Sequence, residues 1–172
     1  MPRIDHLLAS DDALVAQCEV DRYRASGPGG QHRNKTESAV RLRHPSGATA
    51  IGEDSRSQAE NKLHAVRRLR AAIALAVREP VALDGYAPSP RLAALIAGGT
   101  APLGARTRLT GDYWAAIAEL LDLLVAGDLK IAETAARLGI TTGALSKLLL
   151  HDDQVGRTVN VLRRNRNLRP LH

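Results

Sequence analysis

The stretch RASGPGGQHRNKTESAVRLRHPSG, Arg24 to Gly47, decides how this chain is read. Three glycines and one proline fill Gly27-Pro28-Gly29-Gly30, directly before Gln31. Glycine reaches φ > 0 and lets a backbone approach another molecule closely. Pro28 pre-sets one φ angle. The expected product is a tight loop that presents the Gln31 backbone N–H with little side-chain bulk around it. Arg22, Arg24, Arg33, Lys35, Arg41 and Arg43 flank the loop, and between positions 22 and 43 only Glu37 opposes them. A close-approach loop inside a cationic collar suits a polyanionic partner.

Periodicity extends the reading outward. Ser10-Asp11-Asp12 is a cap signal for a short helix over Ala13 to Gln17. Cys18 to Arg24 alternates, with Cys18, Val20 and Arg22 on one side, and reads as a strand leading into the glycine loop. Ser38 to His44 alternates again, with Val40 and Leu42 opposite Arg41 and Arg43. Pro45-Ser46-Gly47 is a turn signal, and Ala48 to Gly52 reads as the returning strand. From Ser55 to about Arg78, apolar residues at Leu63, Val66, Leu69, Ile73 and Val77 predict a long helix. Arg67, Arg68 and Arg70 fall mostly on its other side. Strands plus one packed helix make a small α+β unit over residues 1–79.

Residues 80–110 hold Pro80, Pro88, Pro90 and Pro102 and read as a partly ordered linker with a short helical stretch, Arg91 to Ala97. Residues 111–172 read as an all-α module. Asp112 is the expected cap of a helix over Tyr113 to Ala126, with Trp114, Ile117, Leu120, Leu121 and Leu124 buried. In IAETAARLGITTGALSKLLL, Ala135 and Gly139 precede Thr141 and a second apolar helix, Ala144 to Leu150. That spacing has a helix-turn-helix character. Two readings stay open for it. Thr142 to Lys147 is a DNA-reading helix, with Ser146 and Lys147 beside Thr141 and Thr142 as its polar groups, or, as the sparse polar readers favour, the module docks on RNA or protein or simply packs. Gly156 to Pro170 carries Arg157, Arg163, Arg164, Arg166 and Arg169 without an acidic residue, and Val155, Val159 and Leu162 give it one apolar edge. Five arginines without an acid favour RNA contact.

Composition sets bounds. Hydrophobic residues make up 44% of 172 residues, but aromatic residues only 2%, and Phe is absent. The core is therefore expected to be Leu, Ala, Val and Ile, and any nucleic-acid contact is led by phosphate and shape rather than by base stacking. The net charge of +6 is moderate, so its distribution matters more than its size. Cys18 is the only cysteine, which excludes an intrachain disulfide framework and a thiolate metal cluster and fits a reducing compartment. The six histidines lack paired ligand spacing, and no phosphate-binding P-loop is present, so neither metal nor cofactor is expected. The first residues lack a long apolar run and include Asp5, Asp11 and Asp12, which argues against secretion and mitochondrial import. A cytoplasmic location is expected.

The segment from Arg24 to Ala65 resembles the catalytic domain of the class I peptide chain release factor family. The likeness rests on Gly29-Gly30-Gln31 and extends through Asn34-Lys35-Thr36, Ser38-Ala39-Val40-Arg41, His44, Gly47 and the run RSQAENKLHA from Arg56. It departs at Arg33, where the family has a small apolar residue. The resemblance implies a fold for residues 1–79, a release factor-like catalytic domain. It implies ribosome-dependent hydrolysis of the peptidyl-tRNA ester, with Gly29, Gly30 and Gln31 catalytic and Ser26, Gly27 and Pro28 setting loop geometry. Under it, the Gln31 N–H stabilises the transition state and the leaving ribose hydroxyl. The Gln31 side chain orders the site and helps admit only water. Proton transfer rests on the substrate's ribose and on rRNA. Arg24, His32, Arg33, Asn34, Lys35, Thr36, Arg41 and Arg56 are then rRNA-facing or loop-supporting, and Arg163, Arg164, Arg166 and Arg169 are further RNA contacts.

Implied partners are the ribosome, through large-subunit rRNA, and peptidyl-tRNA. A methyltransferase acting on Gln31 and an mRNA-channel or accessory partner for the C-terminal module complete the set, for a monomeric protein. Stop-codon-reading members carry a separate recognition domain. Nothing in this sequence occupies that role, so the expectation is a short, codon-independent factor that releases chains from stalled ribosomes or split large subunits. The alternative is a nucleic-acid- or ribosome-binding regulatory protein that works through its helix-turn-helix and has no need of Gly29-Gly30-Gln31.

Overall fold

A computed structural model describes residues 1–23, 38–98 and 110–172. The chain divides into two compact units, Met1–Val77 and Arg78–His172. The fold is mixed α+β in the first unit and, among the described residues, helices joined by irregular segments in the second.

The first unit opens with α1 (Arg3–Leu8) and α2 (Asp11–Val15). Ser10 caps α2 by accepting the Ala13 N–H, as its sequence signal predicts, although the helix begins two residues earlier than expected. A three-stranded antiparallel sheet follows in the order β1 (Glu19–Tyr23), β2 (Ala39–Arg43), β3 (Thr49–Gly52). Register pairs Val20 with Leu42 and Leu42 with Ala50, so the period-2 pattern places one apolar layer across the sheet. Val40, Leu42, Ala50 and Gly52 are buried, whereas Arg43 is exposed. Gly47 makes the β2–β3 turn at φ +86, a left-handed conformation that L side chains rarely adopt.

The long helix α3 spans Gln58–Ala76. Ser57 caps it by accepting the Glu60 N–H. The helix ends two residues before the predicted Arg78, because Val77 is already extended, two residues ahead of Glu79-Pro80. Val66, Leu69 and Ile73 are buried as the spacing predicts, but Leu63 is exposed. Arg70 departs from its expected polar face. It is buried, where Nε donates to Leu7 O at 3.2 Å, Nη2 donates to Ala9 O, and Nη1 pairs with Asp11 at 2.6 Å. One guanidinium thus fastens α1 and the start of α2 to α3, and its fork of fixed donors suits this multiple task.

In the second unit, α4 (Pro90–Ala97) packs on α5 (Gly111–Ala126), and α6 (Ile131–Arg137), α7 (Thr142–Leu150) and α8 (Asp153–Asn165) follow. Within the stretch expected as a linker, Glu119 on α5 accepts from Tyr86 OH at 2.8 Å and Ser89 N at 2.9 Å, and buried Asp122 pairs with Arg78 at 3.0 Å. Residues 99–109 lie outside the described residues. The cap of α5 is Thr110 rather than Asp112. Asp112 sits in the first turn, with Arg91 Nε at 2.6 Å. Trp114, Ile117, Leu120, Leu121 and Leu124 are buried as expected, and Ala115, Ala116 and Ala118 are buried too, so α5 is the core of its unit. Among the described residues, no helix is long and apolar enough to cross a membrane.

Three helix ends in this unit share one geometry. After α6, Gly139 adopts φ +68, with Gly139 N bonded to Ala136 O and Ile140 N to Ala135 O. The same paired bonds close α5 at Asp128-Leu129 and α8 at Asn167-Leu168. Each satisfies carbonyls that a helix end would otherwise leave unpaired.

Gly52 shows how closely β3 approaches α3. A Cβ there would lie 1.9 Å from the Asn61 carbonyl oxygen. Gly52→Ala is expected to destabilise the first unit by about 3 kcal/mol or more through overpacking. Gly47→Ala, which meets open space, is expected to cost about 1 kcal/mol through its positive φ. Urea unfolding of the two variants checks this order, and equal losses would contradict the close approach.

Candidate functional site

Segment 24–37 runs between β1 and β2. It holds the expected Arg24, Ser26, Gly27, Pro28, Gly29, Gly30, Gln31, His32, Arg33, Asn34, Lys35 and Thr36, all outside the described residues. What the structure places is the base of that segment. Tyr23 and Ala39 are paired across β1 and β2, so the chain leaves and re-enters at one end of the sheet.

The re-entry point is held by Asn61, a residue that sequence reasoning did not single out for this task. Its buried amide donates from Nδ2 to Ser38 O and to Ser55 O, both at 2.8 Å, and accepts Ser55 N–H on Oδ1 at 2.8 Å. Three bonds at that distance tie three elements together: the arm entering β2, the β3–α3 turn and α3 itself. The turn is stiffened further. Ser57 N donates to Ser55 Oγ at 3.1 Å, and Ser55 Oγ bonds Glu60. Arg56 projects from this turn, exposed, so the structure links its position to that of Ser38.

The exit point is held by Tyr23. Its hydroxyl donates to Glu53 Oε2 at 3.3 Å, and the Arg41 guanidinium lies 5.3 Å from its ring centroid. Arg41 also pairs with Asp21 at 3.2 Å, and Arg43 pairs with Asp21 and Glu19. The cationic collar is therefore partly neutralised on β1 itself. Asp54 is held at a pKa of about 2, first by the hydrogen bond from Arg68 Nη2 at 2.8 Å. The same guanidinium donates to Ile51 O at 2.7 Å, binding the β3 edge.

A second unforeseen group is His6-Gln17-His44. Gln17 Oε1 accepts from His6 Nδ1 at 2.6 Å and from His44 Nε2 at 3.2 Å. His44 Nδ1 accepts the Ser46 N–H at 3.1 Å, so the proton sits on Nε2 and the ring is neutral. Burial pushes the His44 pKa below its ordinary value, and His6 adds to that. Among the described residues, no group of three His, Cys, Asp or Glu side chains could hold a metal ion.

Residues 14–82 match the RF-1 domain family. That span includes the sheet, α3 and the Gly29-Gly30-Gln31 segment. Over that span, less than half of the chain, the sequence is similar to class I peptide chain release factors. Peptide chain release factor 1 of Ureaplasma parvum serovar 3 is 48% identical over 64 residues, 37% of this chain and 18% of that protein. Peptide chain release factor 2 of Acidithiobacillus ferrooxidans is 52% identical over 60 residues, 34% of this chain and 16% of its own length. Peptide chain release factor 1 of Albidiferax ferrireducens is 54% identical over 74 residues, 39% of this chain and 20% of the relative. The chain thus spans a fifth or less of the relatives it matches. The release-factor domain is the shared part, and most of the helical unit lies outside the match.

The arginines of the helical unit are not equivalent. Arg163 Nη1 donates to Leu129 O at 2.6 Å and Nε donates to Arg169 O at 2.7 Å. Arg166 pairs with Asp128. Both therefore hold the α5–α6 turn, where Asp128 and Leu129 have φ +55 and +59. A left-handed leucine costs roughly 1–2 kcal/mol, and these contacts with Leu129's burial keep it there. Arg164 and Arg169 are exposed.

The His44 geometry fixes a pH dependence. Its folded pKa is lowered, so its contribution is present above the unfolded value near 6.5 and is lost as pH falls through the folded value. Stability of the first unit is expected to decline below about pH 6.5, more steeply in wild type than in His44→Gln. Chemical denaturation between neutral and mildly acidic pH measures this, and parallel curves would contradict it.

Proposed function

We propose that this chain is a ribosome-dependent peptidyl-tRNA hydrolase that releases nascent chains without reading a stop codon, from stalled ribosomes or split large subunits. One observation carries the reading: Gly29-Gly30-Gln31 lies inside the RF-1 match, between two strands whose ends are anchored by Asn61 and Tyr23. Codon independence is part of this proposal, tested by release from ribosomes that present no stop codon. Binding to large-subunit rRNA fits the basic segment and the scarcity of aromatic residues.

The reaction breaks the ester between the nascent chain and the tRNA ribose. Water attacks the carbonyl, negative charge develops on oxygen, and the ribose hydroxyl leaves. Gln31 has no titratable group, so it does not take the water's proton. Its backbone N–H is the donor aimed at the developing charge and the leaving hydroxyl, an interaction worth about 3 kcal/mol when preorganised. Its side-chain amide orders the site against nucleophiles other than water and is the group a methyltransferase modifies. Proton transfers fall to the ribose and rRNA, so the protein alone is nearly inactive.

Gln31→Pro removes the N–H and is expected to slow peptide release by roughly a hundredfold or more while ribosome binding persists. Release is measured from ribosomes with an empty mRNA channel, from ribosomes on a sense codon with downstream mRNA, and from isolated large subunits carrying peptidyl-tRNA. Release in the first or third state supports codon-independent rescue. Absence of release in all three, with tight binding in one, ends the hydrolase reading.

A further inference from the structure

The basic C-terminal run invites treatment as a loose charged tail. Its geometry is different. Helix α8 closes at Asn167, which adopts φ +56 and turns the chain back. Asn160, about two turns earlier on α8, then grips the returning chain. Its Oδ1 accepts Leu171 N–H at 2.7 Å and its Nδ2 donates to Leu171 O at 3.2 Å. A single amide thus satisfies both backbone groups of one residue, as a neighbouring strand would. Arg163, donating to Arg169 O, adds a second tie.

This clip builds a groove of about 380 Å³ along α8. It is lined by Leu150 of α7, by Asp153, Gly156, Arg157, Asn160 and Arg164 along α8, and by Pro170 of the returning chain, so Asp153 is its one carboxylate. Gly156 lets α8 sit close to α7: a Cβ there would come within 3.3 Å of Leu150 Cδ2. Arg157 and Arg164 are seven residues apart, two turns on one helix face, about 10.5 Å along the axis. That separation suits two different phosphates of one strand. Neither arginine is committed elsewhere among the described residues. Arg157 is 78% exposed and reaches Asp153 only at 3.9 Å, and such a solvated pair contributes little and exchanges readily. Arg164 uses Nε alone, on Asn160 O of its own helix. No aromatic side chain lines the groove, so bases have nothing to stack on.

We propose that this clipped groove is an RNA backbone-binding site, in which Arg157 and Arg164 hold phosphates and Asn160 holds the wall, while Arg163 and Arg166 serve the fold. The choice of RNA as the polyanion rests on the ribosome-dependent reading above. The inference reassigns the basic run: Arg157 enters the site, and Arg163 and Arg166 leave it. It also separates charge from shape, because the wall depends on a neutral residue.

Binding of a labelled RNA hairpin to the full chain by fluorescence anisotropy, across a salt series, tests it. Arg157→Gln/Arg164→Gln changes exposed residues and leaves the fold intact. It is expected to weaken binding roughly tenfold or more near physiological salt and to reduce the log–log salt slope by about 1.4–1.8. Asn160→Ala keeps every charge yet is expected to weaken binding roughly fivefold by unclipping the wall. Arg163→Gln is expected to lower the melting temperature of the helical unit. An unchanged slope in the double variant would overturn the arginine assignment, and unchanged affinity in Asn160→Ala would reduce the site to loose charge. Peptide release is followed in parallel. Hairpin binding through these residues in a protein that releases no peptide would sink the hydrolase reading and leave the groove standing, and active release with no groove dependence would do the reverse.

Discussion

The buried amide of Asn61 is the constraint on which the first unit depends. Four segments meet around it: Ser38 at the start of β2, Gly52 at the end of β3, Ser55 in the turn and α3 itself. Its three bonds satisfy one carbonyl oxygen of the incoming arm and both backbone groups of Ser55. Buried polar groups are costly when unpaired and rigid when fully paired, so this network specifies one arrangement rather than merely adding stability. Gly52 makes the network possible, because only a residue without Cβ lets β3 lie against the Asn61 carbonyl. The two residues are one device. The amide reaches its partners only at the separation that the glycine permits.

The helical unit solves the same problem differently. Helices α5 to α8 follow one another through turns of only two to four residues, so many carbonyl groups fall at helix ends. Three ends close with left-handed residues, and only Gly139 is a glycine. Asp128 and Asn167 are of the residue types that adopt that conformation most readily among non-glycine residues. Leu129 is not, and it is the position where two arginines at the C-terminal end of α8 converge on one turn, Arg163 on its carbonyl and Arg166 on the neighbouring Asp128. Charge here serves backbone geometry. The same is true of Arg70 in the first unit, whose guanidinium is occupied by Leu7, Ala9 and Asp11.

Much of the fold was legible because it follows simple periods. Alternation found β1 and β2, the Pro45-Ser46-Gly47 turn signal found β3, apolar spacing found α3 and α5, and Ser10 marked a helix start through its cap. What was not legible was which polar residues turn inward. Asn61, Ala65, Leu69 and Ile73 recur at intervals of four along one buried face, so a polar residue on an apolar stripe was the available signal for Asn61. Leu63 drew the eye instead because it is apolar, yet it is exposed. The His6-Gln17-His44 group left no signal in spacing, since its members are 11 and 27 residues apart in sequence and meet only through tertiary packing. Of the candidate site, the sequence names the Gly29-Gly30-Gln31 segment, whereas its anchors emerge only from three-dimensional contact.

A count of arginines therefore overstates the charge available to a polyanion. Arg41 and Arg43 face Asp21 and Glu19, Arg68 faces Asp54, Arg78 faces Asp122 and Arg166 faces Asp128. The net charge of +6 survives these pairings, but its location shifts to residues without such partners. This matters for a domain whose proposed chemistry uses a backbone N–H. A side-chain catalyst corrects small errors of aim by rotating, whereas a backbone donor inherits its aim from the chain on either side. Catalysis by such a donor is sensitive to displacements well under a bond length. The contacts at Ser38 and Tyr23 suit that strategy: one anchor is held by a buried amide, the other by a carboxylate and a cation over its ring. The neutral Asn61 fixes where the arm toward Gln31 begins.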